Sequence, residues 1–451
     1  MPLEEVSASF NNLLQHCGHS ITSLYMGRCT THAFSPEQLR GALAMLPQLQ
    51  ELALEGLTAD HRDVLAQVNP HLRSLSLAIG DCPWFPDAGL DERLHPDPSP
   101  FLRYHHSSLT ALCLSNVRLA DQGPSYPNVR RLVLRDFSPA EDETGWIGPL
   151  VHLFPSAEHV ELGWLWTPRL GHPFAPLDIQ SDSDAAMMHQ WRANGRRWQA
   201  EHGTWVGGLR FLQVPSMQEL YCLGLSESCP IDRLRIMHLD ASYELTEAAL
   251  GDARVRSLAL LIQSHEDLLH HVAFFLHAVA HTASLTRLVV EIGNTVVLSS
   301  GITQVLDTLC GHLRDRLAPI SHLRVFFHVR DLDRPPNNDP CTLVLPMRSR
   351  RPRWIAPELP RVGTDKFGDH PGACWLFKLP DIVGSATASE NTDLRFVLVE
   401  VEECCWKGWE KREDVLSGEE REVSRQTSRW VQVDEAHMRD VLVKEGLDRL
   451  D

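Results

Sequence analysis

Leu49-Gln50-Glu51-Leu52-Ala53-Leu54 and Leu72-Arg73-Ser74-Leu75-Ser76-Leu77 place apolar residues at the first, fourth and sixth positions of a six-residue phrase. The last three residues of each phrase alternate as a half-buried strand does, and the first closes the turn that leads into it. The phrase recurs at Ile21/Leu24/Met26, Leu109/Leu112/Leu114, Val129/Leu132/Leu134 and Ala157/Val160/Leu162. It returns at Leu234/Met237/Leu239, Val255/Leu258/Leu260 and Leu285/Leu288/Val290, and in weaker form at Leu323/Phe326 and Leu394/Val397/Val399. Where the run is unbroken, successive starts lie 20 to 38 residues apart, enough for one strand, one helix and two loops.

The intervening segments carry helix signals. Ser35-Pro36-Glu37-Gln38 offers an N-cap, a proline at the first helical position and a capping-box glutamine, with Leu39, Ala42, Leu43 and Leu46 on one face behind them. Ser264 is placed to cap the run Leu268, Leu269, Val272, Phe275, Leu276 and Val279, and residues 302–317 repeat the theme. One strand and one helix cannot bury their apolar faces alone, so each unit has to stack on its neighbours.

These phrases resemble the leucine-rich repeat, and more narrowly the degenerate repeats of fungal F-box-type proteins, over about residues 10 to 330. The resemblance implies an α/β fold: an irregular leucine-rich-repeat solenoid, or horseshoe, with parallel strands on a concave face and helices on a convex one. The usual Asn or Cys three residues after the last strand leucine occurs only at Cys29; Leu57, Gly80, Val117 and Phe137 stand in its place elsewhere. An irregular stack without the inner side-chain ladder is therefore expected.

The expected organisation is a solenoid over residues 1–330, a Pro/Arg-rich connection over 331–372, and a terminal strand pair with a charged tail over 373–451. A Trp-rich insertion at about 163–208 breaks the repeat and holds five of the twelve tryptophans. In it residues 183–202 read as a helix with Met187, Trp191 and Trp198 on one face, either packed on the solenoid or serving as a lid or aromatic anchor. The connection carries eight prolines between Asp331 and Pro371 and the basic run Arg348 to Arg353. Residues 374–378 and 394–401 read as strands, and the tail from Trp406 as a surface helix or disorder.

The chain has 451 residues, 43% of them hydrophobic and 22% charged, the composition of an ordinary globular protein. A formal net charge of -17 argues against general affinity for nucleic acid, which is held by neutralising phosphates with Lys and Arg. No apolar run approaches the roughly 20 residues of a membrane span. The acidic opening Met1-Pro2-Leu3-Glu4-Glu5 is unlike a secretory signal. Eleven cysteines without paired spacing suit reduced thiols, so a cytoplasmic or nuclear monomer is expected. All five lysines lie at Lys366 or beyond, a pattern that either coding bias or avoidance of self-ubiquitination accounts for.

No catalytic motif stands out. His16-Cys17-Gly18-His19 and Cys29-Thr30-Thr31-His32 hold metal-ligand residue types, but an intervening strand would carry them to opposite ends of one unit. His265 to His270 has its second histidine one residue late for a helical zinc motif. Neither a phosphate-cradling glycine loop nor a nucleophile elbow is present, so neither metal nor cofactor is expected. The alternative, a hydrolase or transferase on an unrecognised α/β fold, would need residues that converge only in space.

Function is thus expected on the concave surface, where strand residues alternate away from the core. That surface is expected to present Tyr25, Glu51 and Glu55, then Arg131, Arg135, His159 and Glu161. Farther along it would present His238, Asp240, Arg287 and Glu291, with Ser74, Ser76 and Cys113 as smaller neighbours. Arg131 and Arg135 are the strongest anchors, since a guanidinium grips a carboxylate with two hydrogen bonds. The resemblance implies a non-catalytic scaffold for a protein partner, a substrate-recognition module that would meet a cullin adaptor. A complete F-box of about 45 residues does not fit ahead of Ile21.

Overall fold

The computed structural model describes residues 3–80, 97–119, 123–139, 146–163, 182–239 and 243–264, and beyond them shorter pieces: 267–272, 275–277, 284–293, 296, 305, 308–309, 320–327, 396–401, 405–413, 428–433, 436–437 and 440–441. The fold is α/β, and the chain forms two compact units, Met1–Ala259 and Leu260–Asp451. The connection over 331–372, the strand expected at 374–378, the basic run and Trp164 and Trp166 lie outside the described residues.

Among the described residues of the first unit eight strands run parallel, each beside its neighbour in strand order. They are β1 (Ser23–Met26), β2 (Glu51–Leu57), β3 (Ser74–Ile79), β4 (Ala111–Leu119), β5 (Arg131–Pro139), β6 (His159–Leu162), β7 (Leu209–Ser216) and β8 (Ile231–His238). Leu52, Leu75, Leu112, Leu132, Val160 and Leu212 share one lateral row, and all are buried. Burying each such side chain contributes roughly 1.5 to 3 kcal/mol.

The joints between units repeat as closely as the leucines do. The carbonyls of Thr22, Gln50, Arg73, Thr110, Arg130 and Glu158 each accept two backbone N–H groups from the start of the next strand, at 2.8–3.1 Å. Before four of the strands comes a turn of one composition: Leu46-Pro47, Asn69-Pro70, Tyr126-Pro127 and Phe154-Pro155 each begin it. The apolar residue three positions on (Leu49, Leu72, Val129, Ala157) returns its N–H to the first residue's carbonyl at 3.1–3.2 Å. Proline presets the backbone for the second position of such a turn and has no N–H to leave unpaired.

Past the last inward leucine of β2 and β4, Gly56 and Asn116 adopt left-handed conformations, with φ of 74° and 57°. The register of β2 against β3 shifts at this point, as a bulge requires. The kink turns Leu57 and Val117 back into the core. These positions, lacking the usual Asn or Cys, thus fill the interior with apolar side chains.

Among the described residues of the first unit the α-helices are α1 (Leu3–Cys17), α2 (Arg28–Thr31), α3 (Pro36–Ala44), α4 (Ser99–Leu102), α5 (Ile147–Leu153), α6 (Asp182–His202), α7 (Met217–Leu223) and α8 (Tyr243–Ala253). The α3 cap forms as the sequence indicates: Gln38 N donates to Ser35 Oγ at 3.3 Å and Ser35 N to Gln38 Oε1 at 2.9 Å. Helix α6 is the body of the Trp-rich insertion and packs against α5 and α7. Its buried face runs through Met188, Gly195 and Gln199 rather than Met187 and Trp198, a rotation of about one position.

Trp191 of α6 meets Trp146 with ring centroids 4.9 Å apart, and Trp205 is buried with its Nε1 donating to Phe154 O at 3.1 Å. Gln199 donates to the carbonyls of Gly195 (2.9 Å) and Gly224 (2.7 Å) and accepts from Ser226 N (3.0 Å), so this buried amide is satisfied on both ends. Arg192 and Arg196 both grip the buried carboxylate of Asp252 on α8. Trp191, half-buried, and Trp205, buried, thus both pack within the first unit.

In the second unit β10 (Arg287–Ile292), β11 (His322–Phe327) and β12 (Phe396–Val401) pair in parallel, and β13 (Cys405–Glu413) and β14 (Ser428–Val433) follow antiparallel. A further strand, β9 (Ser257–Ile262), precedes them in the chain, and both of its faces are buried. Within the tail from Trp406, β13 and β14 are strands where a helix or disorder is expected, while residues 436–437 and 440–441 are helical. Alternation of Trp406, Gly408 and Glu410 with Lys407, Trp409 and Lys411 offers no helical stripe, and the lateral register with β12 uses it. Ser264 caps as expected: Asp267 N donates to Ser264 Oγ, and Ser264 N to Asp267 Oδ2, both at 3.0 Å.

Helix α6 approaches the end of α7 so closely that an added Cβ at Gly195 would lie 2.6 Å from Leu223 O. Gly195→Ala is expected to lower stability by about 1–3 kcal/mol, since backbone cannot yield as a side chain does. Gly251 of α8 has open space around it, so Gly251→Ala is expected to raise stability by about 0.4–1 kcal/mol. Urea denaturation of the two variants reads these opposite signs; equal midpoints would refute the close packing of α6.

Candidate functional site

Residues that alternate away from the buried rows of β1–β8 form one face of the first unit, and the register aligns them laterally. On β1 to β4 this face carries Ser23, Glu51, Ser74 and Ala111 in one row and Tyr25, Ala53, Ser76 and Cys113 in the next. The rows continue as Arg131, His159, Phe211 and Arg233 and as Val133, Glu161, Gln213 and Arg235. All of these except Ser23, Glu51, Tyr25 and Arg131, which are exposed, are half-buried. A third, shorter row holds Glu55, Ala78, Ser115 and Arg135.

At the β1 end Tyr25 is 62% exposed and its hydroxyl donates to Glu55 Oε1 at 2.9 Å. Small side chains floor β3 and β4. From β5 onward the face becomes densely polar. Arg131 Nη2 and His159 Nε2 both reach Glu161 Oε1 at 2.8 Å, and the His159 ring stacks on Phe211 with centroids 4.3 Å apart.

Burial alone pushes the Glu161 carboxyl up, but the hydrogen bond from His159 and the charge and hydrogen bond of Arg131 outweigh it and bring it down to about 2. Burial pushes the neighbouring Cys113 thiol up, against the opposing pull of Arg135, which leaves it a poor nucleophile at neutral pH. Arg135 makes neither a hydrogen bond nor an ion pair among the described residues. Arg131 spends one of its five N–H donors on Glu161.

A second charged strip runs along the strand entrances. Glu158 bridges Arg130 (3.0 Å) and Arg210 (3.1 Å), and Asp232 lies 3.5 Å from Arg256. These pairs are largely exposed and contribute little to stability.

Seven of the eleven sequence-derived residues (Tyr25, Glu51, Glu55, Arg131, Arg135, His159 and Glu161) share this face. His238 does not: it follows Leu234 and Ile236 in the alternation of β8, on the face opposite Arg233 and Arg235. The phrase here is Ile231/Leu234/Ile236 rather than Leu234/Met237/Leu239, because the two overlap in Ile231-x-x-Leu234-x-Ile236-x-x-Leu239 and burial selects the first. Asp240 lies outside the described residues.

Arg287 and Glu291 belong to β10 in the second unit. Glu291 is only 1% exposed, beside Val289 at 2%, and Arg324 on β11 is 6% exposed. Both faces of β10 are buried from Leu288 onward, so Glu291 is an interior residue and not part of an open surface. The continuous apolar run Leu288-Val289-Val290 is the sequence mark of such two-sided burial. Phe211 and Gln213 of β7, and Arg233 and Arg235 of β8, are additions to the site. Leu209/Leu212/Val214 carries the same spacing as the other phrases and signals β7 directly.

Among the described residues no group of three or more His, Cys, Asp or Glu side chains is placed to hold a metal ion, and no helix is long and apolar enough to cross a membrane. No family model matches the chain, and no curated protein matches it.

The depressed Glu161 carboxyl sets a pH dependence. A group whose folded pKa lies near 2 against an ordinary 4.5 stabilises fully above about pH 4.5, and the contribution is lost as pH falls toward 2. Glu161→Gln is expected to cost about 1–3 kcal/mol at pH 7, and the gap from the parent should close between pH 4.5 and 2. Thermal melts across that range measure it; a gap independent of pH would mean the carboxylate's charge is not what Arg131 and His159 hold.

Proposed function

We propose that the chain is a non-catalytic recognition scaffold of leucine-rich-repeat type, in which the open face of β1–β8 binds a protein partner and the helices form the opposite, load-carrying side. In this reading it is a substrate-recognition module of the kind found in F-box-type ubiquitin-ligase receptors, and a cullin adaptor is the second partner. The observation that carries the proposal is the lateral alignment of Arg131, His159 and Phe211 across adjacent parallel strands, with Arg135 beside them free of any ion pair among the described residues. Aromatic and arginine side chains held rigidly on strands are the groups that dominate binding energy at protein interfaces.

The arginines are not equivalent as targets. Reversing Arg131 would set a second carboxylate against Glu161, so loss of binding in that variant would be confounded by loss of fold. Arg135 is the clean position. A photo-crosslinking side chain at Val133, at the centre of the open face, is expected to capture the partner, whereas the same group at Glu247 on α8 is not. Arg135→Glu should reduce capture at least tenfold with an unchanged melting temperature. Adaptor and cullin subunits in the cross-linked or co-purified material would support the ligase assignment. Capture from Glu247 alone would place the interface on the helices and sink the proposal.

A further inference from the structure

Residues Val6 to Gly27 include no Asp, Glu, Lys or Arg, the longest such run in a chain that is 22% charged and carries a net -17. The run spans most of α1 and all of β1. Two of the five large apolar side chains exposed among the described residues, Leu13 and Tyr25, belong to it, so the uncharged stretch is also an apolar surface.

β1 is at the same time an edge of the sheet. Thr22 O accepts from Gln50 N and Glu51 N, so by the alternation of a strand Leu24 turns its backbone groups toward β2, and Ser23 and Tyr25 turn theirs outward. Among the described residues those outward groups meet no backbone partner; Ser23 and Tyr25 are exposed and Leu24 is half-buried. Helix α1 packs instead on the helix side, with Phe10 5.5 Å from Phe34 between centroids and Gly18 against Met45 O at the end of α3. Sheet edges are ordinarily blocked by lysine, proline or a bulge, and β1 has none of these.

We infer that the β1 edge pairs antiparallel with β1 of a second copy of this chain, giving a twofold dimer in place of the expected monomer. An axis through Leu24 sets Ser23 of each copy opposite Tyr25 of the other. Each of these pairs exchanges two N–H···O bonds, four in all, which satisfies every outward backbone group of Ser23 and Tyr25. The two Leu24 side chains meet across the axis and cover one another. A copy is the occupant because the edge is its own complement, with the same two outward residues at the same spacing on both strands. Two chains of -17 repel, and the uncharged run is where they approach without setting like charges together. Four residues of strand bury less than the roughly 1,200 Å² of a stable interface, so the exposed flank of α1 at Leu13 forms the rest of the contact. The axis stands perpendicular to the sheet, so both open faces look the same way; the inference does not depend on what they bind.

Sedimentation velocity of the full chain from about 1 to about 100 µM is expected to show the mass rising from one copy of 50.9 kDa toward two. Ser23→Pro, which removes an outward N–H, and Leu13→Arg, which brings charge to α1, should each move that transition at least tenfold in concentration. The melting temperature of the dilute chain should stay unchanged in both. At the axis, Leu24→Cys in a Cys17→Ser background should give a disulfide-linked dimer on mild oxidation, and Cys17→Ser alone should not. The opposed Cα atoms of such a pair lie about 4.5 Å apart, within disulfide reach. A single-copy mass at every concentration, a dimer indifferent to both substitutions, or open-ended growth would each overturn the inference. So would capture of a different protein by a photo-crosslinker at Ser23 of a chain that stays monomeric.

Discussion

One backbone joint organises the first unit: a single carbonyl, placed just ahead of each of β1 to β6, that receives two N–H groups from the start of the next strand. It fixes where each of β2 to β7 begins relative to the strand before it, and a slip of one residue would turn the buried leucines outward and the arginines inward. The apolar rows supply most of the favourable energy, but burial is indifferent to sideways order. The joint supplies the order, and lateral alignment of Arg131, His159 and Phe211 follows from it.

That alignment brings groups with modest individual contacts together on one surface. Glu161 is a carboxylate in a partly dry setting, stable there because two donors converge on one of its oxygens. Its role is to hold Arg131 and His159 in fixed poses. His159 in turn lies flat on Phe211, so the aromatic and cationic groups hold one another in fixed positions.

Much of this was legible in the residues. The phrases from Leu49 to Leu162 have one phase only, and burial follows it at each position. Ambiguity entered where two phases overlapped, between Ile231 and Leu239, and the wrong choice put His238 where Arg233 and Arg235 belong. β7 has an unambiguous phrase in Leu209/Leu212/Val214, but it follows directly on the insertion that interrupts the repeat. The covering of β10 was the least accessible feature, since what shields a strand's second face lies elsewhere in the chain. Only the apolar Val289 between Leu288 and Val290 hinted at it. The insertion was likewise readable as a helix, but its rotation was set by the close approach of Gly195 to Leu223, a constraint that no stripe of large residues encodes.

The stretch of chain bridged by a single joint in the first unit runs from 20 residues, Thr110 to Arg130, to 52, Glu158 to Arg210, and the widest span contains the whole of α6. Because each joint asks only for one carbonyl and two amides, additional chain can be spliced between strands without disturbing their register. Descendants of such a molecule are free to gain or shed helical material over generations while the display of side chains across the strands is inherited intact.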